Sequence, residues 1–307
     1  MQHIRIGTRG SELALAQANM AAAALCAAHP GLTYELCIIS TAGDQRTDIP
    51  LNQVNAATGT GDKGVFIATI EEALARGEID CAVHSLKDMP GVLDPRFSLA
   101  AVLPREELND VLVVKPGADW EQLTIATGSV RRARMVQDFF HGKAKTVPVR
   151  GNVATRLRKL VENPAVDATL LARAGLNRLG YGRDFIEVNG VALAVESLPV
   201  SEFYPALGQG AIALETRRDD PQYYPLVAAV NDAATSRSIR CERAFLDLLK
   251  ADCSVPVGGY AAADAEGGLT LHICYYPASG ERIILSERGT GAPESVAQAA
   301  YAKLLNV

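Results

Sequence analysis

Four short polar segments in the sequence each stand where a strand-like run gives way to a helix-like one. They are Thr8-Arg9-Gly10-Ser11, His84-Ser85-Leu86-Lys87-Asp88, Thr127-Gly128-Ser129-Val130-Arg131-Arg132 and Arg150-Gly151-Asn152. A helix that begins at such a turn offers free backbone N–H groups and a partial positive charge, a natural seat for an anion. Arginine beside it adds bidentate recognition of carboxylate or phosphate. Between Arg131 and Lys159 nine basic residues face one acid, Asp138, a local excess of +8 in a chain whose net charge is −5. A solvated helix face accounts for Arg158 and Lys159; it accounts less well for Arg131, Arg132 and Arg150, which sit at the junctions. Phe139 and Phe140 are the only aromatics in that window. Base stacking therefore has little to work with, and a small polyanion in a cleft fits better than nucleic acid.

Two further side chains bear on chemistry. Asp88 is a carboxylate on a loop after a strand, next to Lys87, where an acid could protonate a leaving amine or stabilise a cation. A turn aspartate ahead of Pro90 would have the same spacing, so both readings stand on the residues alone. His84 reads as a structural histidine. Cys253 lies in a turn-rich stretch, Ala251 to Gly259, unlike Cys26 or Cys37 in their apolar strings. The six cysteines include no Cys-x-x-Cys pair, so zinc or paired redox chemistry is not expected.

The elements that must position these residues alternate. Ile4 to Thr8 reads as a strand, followed by an alanine-rich helix from Glu12 to Ala27 with Ser11 as N-cap. Strands over Tyr34 to Ser40 and Asp80 to His84 flank a helical stretch from Val65 to Arg76. A second α/β block takes in strands at Val111 to Val114, Leu123 to Thr127, Lys145 to Val149 and Ala168 to Ala172, with helices starting at Ser129 and Asn152. Such alternation implies mostly parallel sheets. Leu198 to Gly210 reads as a linker or return segment. A long helix from Thr235 to about Lys250, three strands (256–262, 269–276, 282–287) and a helix from Ser295 to Leu305 suggest a small α+β unit. With 307 residues, 48% hydrophobic and 21% charged, the chain reads as a globular protein of two or three domains. Met1 to Gly7 shows no leader pattern and no run reaches the ~18 apolar residues of a membrane helix. A cytoplasmic location with reduced thiols is expected, with no membrane partner.

Taken in order, these segments resemble the hydroxymethylbilane synthase (porphobilinogen deaminase) family over nearly the whole chain. The resemblance rests on Ile6 to Ser11 with Leu13, Ala14 and Gln17; on Asp80 to Pro90; on Gly128 to Arg132; on Val149 to Arg156; on Ala172 to Gly180; on Leu207 to Ala211; and on Cys253 to Gly258. It implies an α/β protein of three domains. The first two resemble type II periplasmic-binding-protein halves (1–103 plus 211–228, and 104–210), and the third is a small α+β domain (229–307). It implies a monomeric transferase of tetrapyrrole (porphyrin, haem) biosynthesis that condenses four porphobilinogens with loss of ammonia, then releases hydroxymethylbilane by hydrolysis. It also implies a dipyrromethane cofactor held by a thioether to Cys253. Asp88 would assist ammonia loss and stabilise the positively charged azafulvene. Lys87, Ser129, Arg131, Arg132, Asp44, Thr127 and Gln209 would bind the cofactor. Arg9, Ser11, Lys63, Arg150, Gly151, Asn152, Arg156 and Arg178 would bind substrate, whose acetate and propionate groups give the cations their purpose. Two departures stand out: Leu51 to Lys63 is longer than usual with Gln53 in place of a common lysine, and Ala251-Asp252 replaces a glycine pair. A non-catalytic binding protein with the same cleft is the main rival reading; it would need neither Asp88 nor Cys253.

Overall fold

The computed structural model describes residues 2–40, 67–250, 255–277 and 281–306. Three sheets organise them. The first has strand order β2-β1-β3-β11-β4 and the second β7-β6-β8-β5-β10-β9. In the first, β1 (His3–Thr8) runs parallel to β2 (Thr33–Ile38) and β3 (Cys81–Ser85). β11 (Ile212–Arg217) then lies antiparallel between β3 and β4 (Phe97–Val102). The second sheet repeats this layout. β6 (Thr124–Ala126) is parallel to β7 (Lys145–Val147) and β8 (Ala168–Ala172), and β5 (Asp110–Val114) lies antiparallel to β8. β10 (Val191–Ser197) and β9 (Phe185–Val188) complete it, both pairings antiparallel. In each sheet the antiparallel strand next to the parallel trio comes directly after a crossover between sheets.

The expectation of mostly parallel sheets is thus corrected: each has a parallel half and an antiparallel half. β4, β9, β10 and β11 have no counterpart in the sequence reading. Phe97 to Val102 and Ile212 to Arg217 each mix apolar and polar residues without clean alternation, and β9 and β10 form a hairpin through Asn189-Gly190, both at positive φ.

Helices cover the sheets. α1 (Glu12–Ala28) buries Gln17, Ala18, Ala21, Ala22 and Leu25, a stripe at helical spacing against the first sheet. α2 is Ala68–Ala75. On the second sheet lie α3 (Val130–Phe139), α4 (Val153–Glu162) and the short α5 (Arg173–Arg178). After α6 (Tyr223–Ala228) comes α7 (Ala233–Leu249), capped by Asp232, whose carboxylate accepts from Thr235 N at 2.7 Å. α7 and α8 (Pro293–Leu304) pack on an antiparallel sheet of β12 (Val257–Ala263), β13 (Leu269–Tyr275) and β14 (Ile283–Gly289).

Residues 198–211 form no strand or helix, yet they are not a loose linker. Phe203, Tyr204, Leu207 and Gln209 are buried. β12 lies so close that a Cβ on Gly258 would stand 2.8 Å from Tyr204 O, and Gly259 N donates to Pro205 O at 2.8 Å. No helix among the described residues is long and apolar enough to cross a membrane.

Candidate functional site

Asp110 begins β5 and is fully buried. Its Oδ2 accepts from Arg131 Nη2 at 2.8 Å and Arg132 Nε at 3.2 Å; its Oδ1 accepts from Arg132 Nη2 at 2.7 Å and Gln209 Nε2 at 2.9 Å. Burial works to raise the carboxyl pKa, but the two guanidinium charges prevail and hold it well below the usual carboxylate range. Four donors use the whole acceptor capacity of one carboxylate. Both arginines are buried, and their other donors are partly taken. Arg132 Nη1 donates to Leu170 O at 3.0 Å, and Arg131 Nη1 donates to Tyr204 O. The sequence reading missed Asp110 because charge was counted from Arg131 onward; its signal was an acid at the very start of an otherwise apolar strand.

Gln209 carries this network to the first sheet: its Oε1 accepts from Lys87 Nζ at 3.2 Å. Lys87 stands in a single 3-10 turn, Leu86–Asp88, at the carboxyl end of β3. Burial, then the charge of Arg132, pushes the Lys87 ammonium down to about 8, with Asp88 and Asp110 opposing. Asp88 itself is exposed at the end of the turn. Its charge acts on Arg156 as well as on Lys87. Burial and repulsion from Arg132 push Arg156 down to about 10, against the pull of Asp88, and Arg150 repels it too. Arg156 Nε donates to Gly151 O at 2.8 Å.

Lys87, Asp88, Gln209, Arg131, Arg132, Arg150 and Arg156 are therefore coupled in one place. Five cations there face two carboxylates, Asp88 and Asp110. The helix starts stand beside them. Ser129 caps α3, accepting from Arg132 N at 3.4 Å, and Thr127 Oγ1 accepts from Ser129 N at 3.2 Å. Asn152 caps α4, accepting from Thr155 N at 2.8 Å, and Gly151 precedes it at φ +119°. At the first-sheet junction Ser11 caps α1, accepting from Ala14 N at 3.3 Å, and Arg9 is half-buried. α1 meets α5 where Leu13 approaches Gly175. Arg178, the last residue of α5, donates from Nη2 to Gly210 O; its Nε is buried with no hydrogen-bond partner among the described residues.

Asp44, Lys63 and Cys253 lie outside the described residues, as does the whole extended segment from Leu51 to Lys63. Of the cysteines that are described, Cys81, Cys241 and Cys274 are buried. Burial pushes the Cys241 thiol up to about 12 and Cys274 to about 11, so neither is poised as a thiolate. His84 is buried beside Glu215, as a structural histidine would be. Of the +8 run, Arg134, Lys143, Lys145, Arg158 and Lys159 are exposed, and Lys143 and Arg158 pair with Glu121 and Glu162. No group of His, Cys, Asp and Glu among the described residues could hold a metal ion.

The arrangement is a cationic, donor-rich cluster at strand ends with one exposed carboxylate at its edge, suited to a ligand bearing several carboxylates that gains or loses a proton. Comparison with known proteins agrees in sequence. The family model described as porphobilinogen deaminase, dipyromethane cofactor binding domain, matches residues 4–224, and that of the porphobilinogen deaminase C-terminal domain matches residues 236–306. The porphobilinogen deaminase of Alkaliphilus metalliredigens is 39% identical over 290 residues, 92% of this chain and 85% of that one. That of Nitrobacter hamburgensis is 41% identical over 303 residues, 97% and 87% of the two chains. Among solved structures, the methionine binding protein MetQ aligns with a TM-score of 0.41 at 12% identity, over 74% of this chain and 89% of its own. With both family models matched in order across almost its whole length, the chain belongs to the porphobilinogen deaminase family.

Proposed function

We infer that the protein is a hydroxymethylbilane synthase, a transferase that joins four porphobilinogen molecules head to tail with loss of ammonia and releases the linear tetrapyrrole by hydrolysis. The observation that carries this reading is the exposed Asp88 carboxylate beside Lys87 and Arg156, above the Asp110-anchored arginines. A pyrrole with acetate and propionate arms needs cations for its carboxylates and an acid near its aminomethyl group; this cluster supplies both.

The family's dipyrromethane cofactor fits the donor set. Lys87 retains donors beyond its bond to Gln209, and Ser129 stands at a helix start with Arg131 and Arg132 behind it. Lys87, Ser129, Arg131, Arg132, Thr127, Gln209 and Asp44 would hold it, with Cys253 as the point of attachment. When bound, it would supply the free pyrrole carbon to which the first porphobilinogen is joined, later units adding to the end of the growing chain. The unpartnered Nε of Arg178, together with Arg9, Ser11, Lys63, Arg150, Gly151, Asn152 and Arg156, would receive substrate carboxylates. Asp88 Oδ holds a proton for the departing amine and, once ionised, faces the cation left behind. Preorganised charge of this kind acts at full strength because its groups are already oriented.

The proposed domain division is 1–103 with 211–228, 104–210, and 229–307; the grouping of the strands into three sheets supports it. A cytoplasmic monomer with no nucleic-acid or membrane partner completes the reading. Incubation with porphobilinogen tests it: consumption with release of ammonia and hydroxymethylbilane is expected. Asp88→Ala should keep the fold and lose about 10²–10⁴-fold in kcat, the usual contribution of a positioned acid. Binding of porphobilinogen without consumption would favour the non-catalytic rival.

A further inference from the structure

Asp88 is held from two sides. On the entry side, Leu86 N donates to Ala211 O at 3.1 Å, and Met89 N closes the turn on Leu86 O at 3.0 Å. On the exit side the grip comes from α7. Arg243 Nη2 donates to the carbonyls of Pro90 and Gly91, both at 2.9 Å. There the chain lies against the end of α7: a Cβ on Gly91 would stand 3.3 Å from Leu246 C and 3.4 Å from Asp247 N. Burial works against the Arg243 charge, and Glu215, then Asp247, supports it. Glu215 is fully buried on β11, with His84 Nε2 3.0 Å from its Oε2 and its Oε1 without a hydrogen-bond partner among the described residues. His84 lies on β3, four residues before Asp88. A cluster of ionisable side chains thus spans β3, β11 and α7, and α7 is the helix that precedes Cys253 in the chain.

We propose that Arg243, backed by Glu215 and His84, is a positioning residue for Asp88, fixing the exit of its turn to α7 so that the helix preceding the attachment cysteine and the acid keep one geometry. This rests on the reading of Asp88 as the acid. Arg243 touches no reacting atom; it acts through the carbonyls of residues 90 and 91. Neighbouring side chains on the same helix do other work: Arg240 makes a surface pair with Glu294 at 2.8 Å, and Glu242 binds Arg105.

Arg243→Met and Arg240→Met, made in the full-length enzyme, test the proposal. A displaced catalytic group costs activity without weakening ground-state binding, so in Arg243→Met kcat should fall roughly ten- to a hundred-fold with KM within about two-fold. The covalently bound cofactor, read as a mass excess in intact mass spectrometry, should remain, and the backbone amides of residues 86–89 and 91 should exchange hydrogen faster while those of β4 do not. Arg243→Lys, which keeps a charge for Glu215 and a donor for the carbonyls, should recover part of kcat. Arg240→Met should match the wild type. Should Arg243→Met fail to fold, Gly91→Ala makes a milder version of the same test, because its Cβ, 3.3 Å from Leu246 C, requires the contact between the exit segment and α7 to give; kcat should fall with KM unchanged. Wild-type kcat in the folded variant overturns the proposal, as does a loss of kcat with residues 86–91 as protected as before. Asp88→Asn separates the two readings: turnover surviving there sinks the role of Asp88 itself, whereas turnover lost there but kept in the Arg243 variant sinks only the clamp.

Discussion

At the scale of single residues, the protein separates charges that the sequence presents as one run. Arg131 and Arg132 share the buried Asp110, so together they contribute about one net charge rather than two. Breaking a buried pair by removing one partner strands the other, which costs on the order of 3–5 kcal/mol. Asp110→Asn should lose about that much stability at neutral pH in chemical denaturation. The pH dependence has a definite sign. A depressed carboxyl pKa stabilises the fold above the ordinary aspartate value near 4 and loses that contribution as pH falls through the lower folded value. The acid limb of the stability curve should therefore be shallower in Asp110→Asn than in the wild type. Lys87 works the other way in function. Its ammonium, pushed down to about 8, discharges as pH rises through that value, and the cluster then loses a cation. An alkaline limb in kcat/KM near pH 8 is expected for the wild type. It should be absent in Lys87→Arg, whose charge persists far above that pH.

At the scale of elements, helix starts were the most legible feature. Ser11, Ser129 and Asn152 each cap a helix, as a short polar residue ahead of a periodic run predicts. Removing the Ser129 hydroxyl should cost about 1 kcal/mol of stability. Ser129→Ala measured in urea tests this, and an unchanged midpoint would show that the cap contributes nothing. The parallel strands β3, β6 and β8 were legible because extensive burial leaves short apolar runs, and β1 because Ile4 and Ile6 alternate with Arg5. The antiparallel halves were not. β11 reads IALETR, with Glu215 and Thr216 buried in a strand that the apolar pattern alone would end early. The segment from Leu198 to Gly210 does return the chain from the second sheet to the first, but its packing was not legible for a related reason: its prolines and glycines mark turns, and nothing local shows that Gln209 and Tyr204 O will serve as partners for Lys87 and Arg131. The cations of the site were visible in the sequence. The groups that hold them and the turn of Asp88 in place, Asp110 beneath the arginines and Glu215, Glu242 and Arg243 around the turn and crossovers, were not, since each matters only through a partner distant in the chain.

At the scale of the whole molecule, both crossovers and the third sheet meet at Glu242. This fully buried carboxylate accepts from Arg105 Nη1 at 2.6 Å and Nη2 at 3.0 Å, from Gly208 N at 2.6 Å and from Ala261 N at 2.8 Å. Arg105 also donates from Nε to Gln209 O at 2.9 Å, so the third sheet, the crossover and the Lys87 network share one set of bonds. On the proposed reading, the two mixed sheets would present strand ends and helix starts to a carboxylate-rich ligand, and the segment that follows α7 would carry the cofactor on Cys253. That attachment is the central claim, and intact mass spectrometry of the purified protein tests it most directly. The account predicts a mass excess equal to two covalently bound pyrrole units, retained after denaturation and absent from Cys253→Ser. A wild-type protein of unmodified mass that still converts porphobilinogen, or an adduct that survives in Cys253→Ser, would contradict it.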